Sequence, residues 1–328
     1  MLGLNQLSNA EKERLFQEDK QAIEQQLDLK NPEYLGAGSF GRVYRAESND
    51  GAYLAVKVQS QEQYNNQEFA AADVLNTIPN NYFVKTFGKK DFGEKVFLLE
   101  EFCDLQSLES ATNLGLIAKT SILMEFLVLF HEKGLVHCDI TPSNILFSSV
   151  EGQESFIPKL GDFGETTSLQ NINNSTEIDG TQFFFPPEVR QRRGDYNQGI
   201  DIWMLGMTLY MIASGKKIDH RSYGLLCVSG LVPPTQTEDL SKSQNELLLD
   251  VNGKKLTETM GKDFVHFLSY MLNEDPKRRL TAKQLLQHSI FTKNLTGNID
   301  QIPNAYAEEL GLKIDIKKQI ASQRVSLV

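Results

Sequence analysis

His137-Cys138-Asp139-Ile140-Thr141-Pro142-Ser143-Asn144, followed by Asp162-Phe163-Gly164, is the stretch on which the reading of this chain turns. An aspartate, an asparagine five residues on and a second aspartate at a glycine turn make one base and two oxygen ligands for a hard cation. Such a set suits Mg²⁺ bridging phosphates better than a transition metal, because Mg²⁺ takes few carboxylates and keeps substrate oxygens in its shell. Upstream, Gly36-Ala37-Gly38-Ser39-Phe40-Gly41 leaves backbone amides open to phosphate oxygens that side chains would otherwise block. Ala55-Val56-Lys57 follows on a predicted strand.

Outward from these motifs the chain changes character. Ser8-Asn9-Ala10-Glu11 reads as a capping box opening a helix over residues 1–28, with Leu15, Phe16, Ile23 and Leu27 on one stripe and Pro32 ending it. Residues 33–60 alternate strands and turns, with Asn49-Asp50-Gly51 as a hairpin turn. A helical pattern runs from Gln61 to Ile78, and Lys95 to Phe102 returns to strand. Beyond a connector near Cys103–Gln106 the chain is mostly helical, with strong patterns over 118–133, 199–213, 261–273 and 281–288. Residues 216–258, which contain Val232-Pro233-Pro234, read as irregular with some helix.

Glycine loop, strand lysine, His-x-Asp loop and Asp-Phe-Gly, in that order, resemble the eukaryotic protein kinase family over roughly residues 29–292. The resemblance implies an α+β, bilobal protein kinase fold: a small antiparallel β-sheet lobe with one helix, plus a large mainly helical lobe. The boundaries expected are an N-terminal helical extension 1–28, an N-lobe 29–102, a C-lobe 103–295 and a tail 296–328. The activity implied is transfer of the ATP γ-phosphate to hydroxyl groups of a protein substrate, with ATP and Mg²⁺ as cofactors.

Residue roles follow from the same resemblance. Gly36, Gly38 and Gly41 cradle phosphates and Lys57 reaches the α- and β-phosphates. Lys57 pairs with a glutamate on the first helix of the small lobe. Glu68 is the candidate, ahead of Glu62 and Asp73, because it shares a helix face with Ala72 and Leu75. Asp139 is the catalytic base, Asn144 and Asp162 are the metal ligands, and His137 braces the loop and Phe163. In Gly180-Thr-Gln-Phe-Phe-Phe-Pro-Pro-Glu188 the Thr181 hydroxyl resembles the one that contacts base and catalytic loop in serine/threonine kinases, and this selects the substrate class. Glu188 is expected to pair with Arg279, and Asp201 to hold the catalytic-loop backbone. Val43, Ala55 and Leu146 enclose the adenine ring and the backbone of Glu101 and Cys103 meets its edge. The residue guarding the back of that pocket is Glu100 or, one register away, Leu99.

Two positions depart from the family pattern. Cys138 stands where many regulated kinases carry an arginine that clamps a phosphorylated activation segment, so activity is expected without phosphorylation at Ser168, Ser175 or Thr176. Thr141 stands where a lysine usually neutralises the γ-phosphate; an uncompensated loss of that charge costs about 2–4 kcal/mol of transition-state stabilisation. A nucleotide-binding pseudokinase or scaffold, and a small-molecule kinase of related fold, are the alternatives. The cluster Arg190-Gln-Arg-Arg193 is read as a solvated turn, ahead of a dock for an acidic partner or a phosphate.

Composition bounds the partners. A net charge of −10 opposes any general affinity for nucleic acid or an anionic membrane surface, so neither is expected as a partner. Three cysteines, with no CxxC spacing, suit a reducing, cytoplasmic setting. Leu2 follows Met1, where N-myristoylation needs glycine, and no apolar run approaches the length of a membrane-spanning helix.

Overall fold

The computed structural model describes residues 7–38, 41–62, 64–78, 82–105, 107–109, 116–149, 156–175, 177–194, 196–217 and 248–292. Thr176, Cys227, Val232-Pro233-Pro234 and the tail from residue 296 lie outside these. Two compact units divide the chain, one within Met1–Ile78 and Val84–Asp104, the other within Pro79–Phe83 and Leu105–Val328.

The first unit opens with α1 (Asn9–Leu27), started by the expected capping box: the Glu11 amide donates to the Ser8 hydroxyl (3.3 Å) and the Ser8 amide to the Glu11 carboxylate (2.8 Å). Its end differs from expectation. Asp28 takes a left-handed conformation (φ 54°) that halts the helix, and Pro32 falls within the following strand. A short polar side chain tolerates that conformation, so no proline is required.

Strands β1 (Lys30–Gly38), β2 (Gly41–Glu47), β3 (Tyr53–Ser60), β4 (Thr86–Phe92) and β5 (Lys95–Glu101) form one antiparallel sheet in the order β1-β2-β3-β5-β4. Alternation divides their side chains between two faces. Tyr44, Ala46, Val56, Val58 and Phe97 join Ile23 and Leu29 in a core closed by α1. Fully burying a side chain such as Ile23 contributes about 1.5–3 kcal/mol, so the extension is bound into this unit. Val43, Ala55, Lys57, Leu98 and Glu100 occupy the opposite face, since directly paired residues point the same way: Val43 opposes Lys57, Lys57 opposes Leu98 and Ala55 opposes Glu100. The helix expected from Gln61 is shorter, α2 (Asn66–Asn76), because the Asn65 side chain caps it by accepting from the Gln67 amide (3.0 Å).

The second unit is mainly helical. Helix α3 (Leu116–Glu132) leads to β6 (Leu135–Val136), and β7 (Ile145–Ser149) pairs with β8 (Phe156–Leu160) in a hairpin. Strand β9 (Thr167–Ser168) pairs with β6, so the two segments flanking the catalytic-loop motif are tied back to back. Short helices α4 (Leu169–Asn174) and α5 (Pro187–Arg190) precede α6 (Gly199–Ser214), whose first twelve residues contain none that is exposed. A helix apolar all round must be enclosed; α6 packs on α3 and on α8 (Lys262–Met271), the latter preceded by α7 (Leu256–Thr259). The pattern over 281–288 resolves into α9 (Ala282–Leu285), opened by a Thr281–Gln284 capping box, with α10 (Ser289–Thr292) beyond it.

Glu188 and Arg279 form the expected pair, bidentate at 2.5 and 2.6 Å. The guanidinium also donates to the Asn273 and Gly199 carbonyls and lies 5.0 Å from the centre of the Trp203 ring. A buried charge is tolerable only when so satisfied.

Candidate active site

Asp201, fully buried near the start of α6, accepts from the amides of His137 (2.9 Å) and Cys138 (3.0 Å) and contacts His131 Nε2 (2.9 Å). These bonds hold Cys138 at φ 65°, a conformation side chains disfavour. The expected scaffold role of Asp201 is therefore visible atom by atom. Burial, then the charges of Asp201, Glu165 and Asp139, push the Cys138 thiol well above its usual pKa. It stays a neutral thiol.

The backbone turned by Asp201 presents Asp139. Its Oδ2 accepts from Asn144 Nδ2 (2.8 Å), which also donates to the Asp139 carbonyl (2.8 Å). Its Oδ1 accepts from the backbone amide of Thr181 (2.8 Å). This corrects one detail of the sequence reading: Thr181 reaches the aspartate by its amide, where the hydroxyl was expected. The reason lies one residue earlier. Gly180 has φ 138°, and a Cβ there would meet the Cys138 carbonyl at 2.5 Å. Only glycine lets the segment lie so close to the catalytic loop, and that closeness brings the next amide to the carboxylate.

His137 braces as expected. Its Nδ1 accepts from the Asp139 amide (3.2 Å), Nε2 lies 3.2 Å from the Gly161 carbonyl, and its ring meets Phe163 edge-on at 5.8 Å. Phe163 is buried and also stacks on Phe130. Asp162, between Gly161 and that anchored phenylalanine, takes φ 59°, with its Oδ1 3.4 Å from the Gly164 amide. Leu146 sits on β7, next to Ile145, whose carbonyl accepts from the Leu108 amide (2.7 Å).

On the first unit, Lys57 and Glu68 are joined at 2.5 Å, both nearly fully buried. Gln59 donates to the second Glu68 oxygen (2.9 Å), a partner the sequence reading missed although it lies two residues from Lys57 on the same face. Glu68 is thus the partner, and Glu62 and Asp73 are not. Gly36 opposes Val43, and Gly38 opposes Gly41 to close the hairpin; Ser39 and Phe40 lie outside the described residues. Gly41 has φ 132°, and a Cβ there would strike the Val58 carbonyl. Sheet register puts Leu99 and Glu100 on opposite faces: Leu99 opposes Val56 on the α1 side, while Glu100 lies with Ala55 and Lys57. The Glu101 amide donates to the Lys85 carbonyl (2.8 Å), and Cys103 follows in the connector, half-buried.

A pocket of ≈ 250 Å³ on the second unit is lined by Glu109, Thr141, Ser143, Thr181, Met211 and Lys217 among others. Thr141 is buried, with its hydroxyl 2.8 Å from that of Ser143. Nothing in local sequence joins Glu109 or Lys217 to Thr141; the fold alone does. In the basic cluster, Arg192 pairs with Glu177 (2.9 Å) and Arg190 donates to the Gln182 carbonyl (3.3 Å). The first pair is exposed on both sides and contributes about 0–1 kcal/mol, in keeping with a solvated turn. Among the described residues no helix is long and apolar enough to cross a membrane.

Residues 29–291 match the family described as protein kinase domain. The chain is 28% identical over 304 residues to serine/threonine-protein kinase pakH of Dictyostelium discoideum, covering 88% of this chain and 53% of that one. It is 28% identical to human mitogen-activated protein kinase kinase kinase kinase 3, covering 84% of this chain and 30% of that protein. Serine/threonine-protein kinase ppk11 of Schizosaccharomyces pombe is 26% identical, with 84% of this chain and 85% of that one aligned. The chain thus spans about half the length of the first of these relatives and less than a third of the second.

Proposed function

Because the chain belongs to the protein kinase domain family, we propose that it transfers the γ-phosphate of ATP to serine or threonine hydroxyls of protein substrates, with Mg²⁺ as the cation. The observation that carries this is the fixing of Asp139: each carboxylate oxygen accepts one hydrogen bond, from Asn144 and from the Thr181 amide. A carboxylate so oriented keeps a lone-pair direction for an incoming hydroxyl. It aligns the nucleophile and takes its proton as the bond to phosphorus forms.

The donor set fits a hard cation. Asn144 spends its Nδ2 on Asp139, so its orientation is set and its Oδ1 is the atom left for a metal; Asp162 offers a carboxylate at a turn fixed by the buried Phe163. When bound, such a cation neutralises phosphate charge. Lys57, oriented by Glu68, holds the α- and β-phosphates, and Gly36, Gly38 and Gly41 present amides to them. Val43 and Ala55 of the first unit, and Leu146 of the second, are the apolar residues for the adenine ring. Backbone at Glu101 and Cys103 serves its edge, with the Glu101 amide already engaged by Lys85. Glu100 guards the pocket behind. The pocket beside Thr141 and Thr181 receives the acceptor side chain and its neighbours.

Cys138 adds no arginine to read a phosphorylated segment, so turnover proceeds without such a phosphate. The sparse cysteines suit work in the cytoplasm. The test uses radiolabelled ATP, Mg²⁺ and a basic acceptor protein. Wild type labels the acceptor, and Asp139→Ala labels it at least about 100-fold more slowly while nucleotide affinity is kept. Nucleotide binding by the wild type without any transfer refutes the reading and leaves a nucleotide-binding scaffold.

A further inference from the structure

Asp19 is the least expected residue of the first unit. It lies on α1 between Phe16 and Ile23, on the stripe that faces the sheet, and is fully buried. Its carboxylate receives both Arg42 Nε and Arg42 Nη2 (the latter at 3.1 Å), the Tyr44 hydroxyl (2.8 Å) and the Lys95 ammonium (2.6 Å). Burial works to lower the Arg42 pKa, but the hydrogen bonds and charges of Asp19 and Tyr44 together raise it. One carboxylate therefore pairs with two cations carried by two different strands. Three residues earlier, the Phe16 ring stacks on Tyr34 with centroids 4.4 Å apart, and Tyr34 meets Tyr44 edge-on at 5.7 Å.

The places these contacts grip are specific. Arg42 immediately follows Gly41, and Tyr34 stands two residues before Gly36, at the edge of a register shift between Tyr34 and Gly36. Helix α1 thus holds both legs of the glycine hairpin at its root. We infer that α1 positions the glycine loop for the nucleotide, with Asp19 and Phe16 as the positioning residues. The inference rests on the proposal that this loop receives ATP phosphates.

A hairpin released at its root visits more conformations, and apparent affinity falls in proportion to the fraction still competent to bind. If that fraction falls to about a tenth, the Kd rises about tenfold. In the full chain, Phe16→Ala and Asp19→Asn raise the Kd for a fluorescent ATP analogue with Mg²⁺, and the KM for ATP, by about tenfold. The acceptor KM is unchanged and kcat stays within about twofold, because only uniform nucleotide binding is lost. Asp19→Glu, which keeps the charge, recovers part of the loss.

Lys90→Ala is the control. Lys90 donates to the Gln26 carbonyl at the far end of α1, so its removal lowers the melting temperature without moving the KM for ATP. Soluble Phe16→Ala and Asp19→Asn proteins that melt earlier yet bind the analogue as wild type does overturn the inference; should Asp19→Asn not fold, Phe16→Ala alone decides. A wild type that does not bind the analogue sinks the nucleotide reading and the inference with it. A wild type that binds but transfers nothing sinks only the enzymatic reading, and the Kd comparison still decides the role of α1.

Discussion

Glu125 offers the most quantitative prediction. It lies on α3, half-buried, and accepts a hydrogen bond from the Tyr82 hydroxyl (3.0 Å). Burial raises its pKa from 4.5 to about 7, against the opposing pull of the Tyr82 bond. A carboxyl whose folded pKa exceeds its unfolded one stabilises the fold at low pH, fully so below the unfolded value. That contribution is lost as pH rises through the folded pKa, so the window runs from 4.5 to about 7. A shift of this size corresponds to about 3 kcal/mol, of which about 2–3 kcal/mol falls between pH 5 and pH 8. Glu125→Gln keeps an acceptor for Tyr82 and removes the charge. Urea unfolding followed at pH 5, 6, 7 and 8 should show the variant gaining on wild type by about that amount across the series, with little difference at the acid end. In melting temperature the gain at pH 8 is on the order of 5–10 °C. Parallel stability profiles for the two proteins would refute the reasoning, since the carboxyl would then titrate alike in both states.

Three further outcomes are expected. Glu188→Gln leaves the buried Arg279 guanidinium without its counter-charge and lowers stability by about 3–5 kcal/mol, read as a drop in the urea midpoint at unchanged m-value. Thr141→Lys restores an ammonium beside the acceptor pocket and raises kcat by about tenfold or more, corresponding to at least about 1.4 kcal/mol of barrier; an equal or lower kcat would show that no charge is missing, as it would if Lys217 on the same pocket already serves. Phosphatase-treated protein retains its turnover, checked by mass spectrometry for loss of phosphate and by initial rates; loss of activity would mean that a phosphate is read by a cation other than the absent arginine.

The local chemistry was largely legible in sequence. Ser8 and Glu11 sit three apart in the capping-box pattern and form it, because that geometry depends on one turn of backbone and nothing else. The pairs Lys57 with Glu68 and Glu188 with Arg279 were expected from the family resemblance, with the helix face of Ala72 and Leu75 selecting Glu68, and both form; the Asn144 bond to Asp139 was not foreseen. Helix ends were less legible: Asp28 stopped α1 before Pro32 could, as several residue types accept the left-handed turn.

By itself, then, the sequence determined which side chains carry the proposed chemistry and roughly which strands and helices bear them. Only the tertiary structure decided that Glu100 and not Leu99 shares the face of Lys57, because a one-residue change of register reverses every side chain in a strand. It alone joined Asp19 to Arg42 and Lys95, and set Lys217 on the pocket that Thr141 lines. Those placements span tens of residues, and no local pattern encodes an arrangement that exists only once the chain is packed. A charge on an apolar stripe, as at Asp19, signals that a partner must exist; the fold says which one.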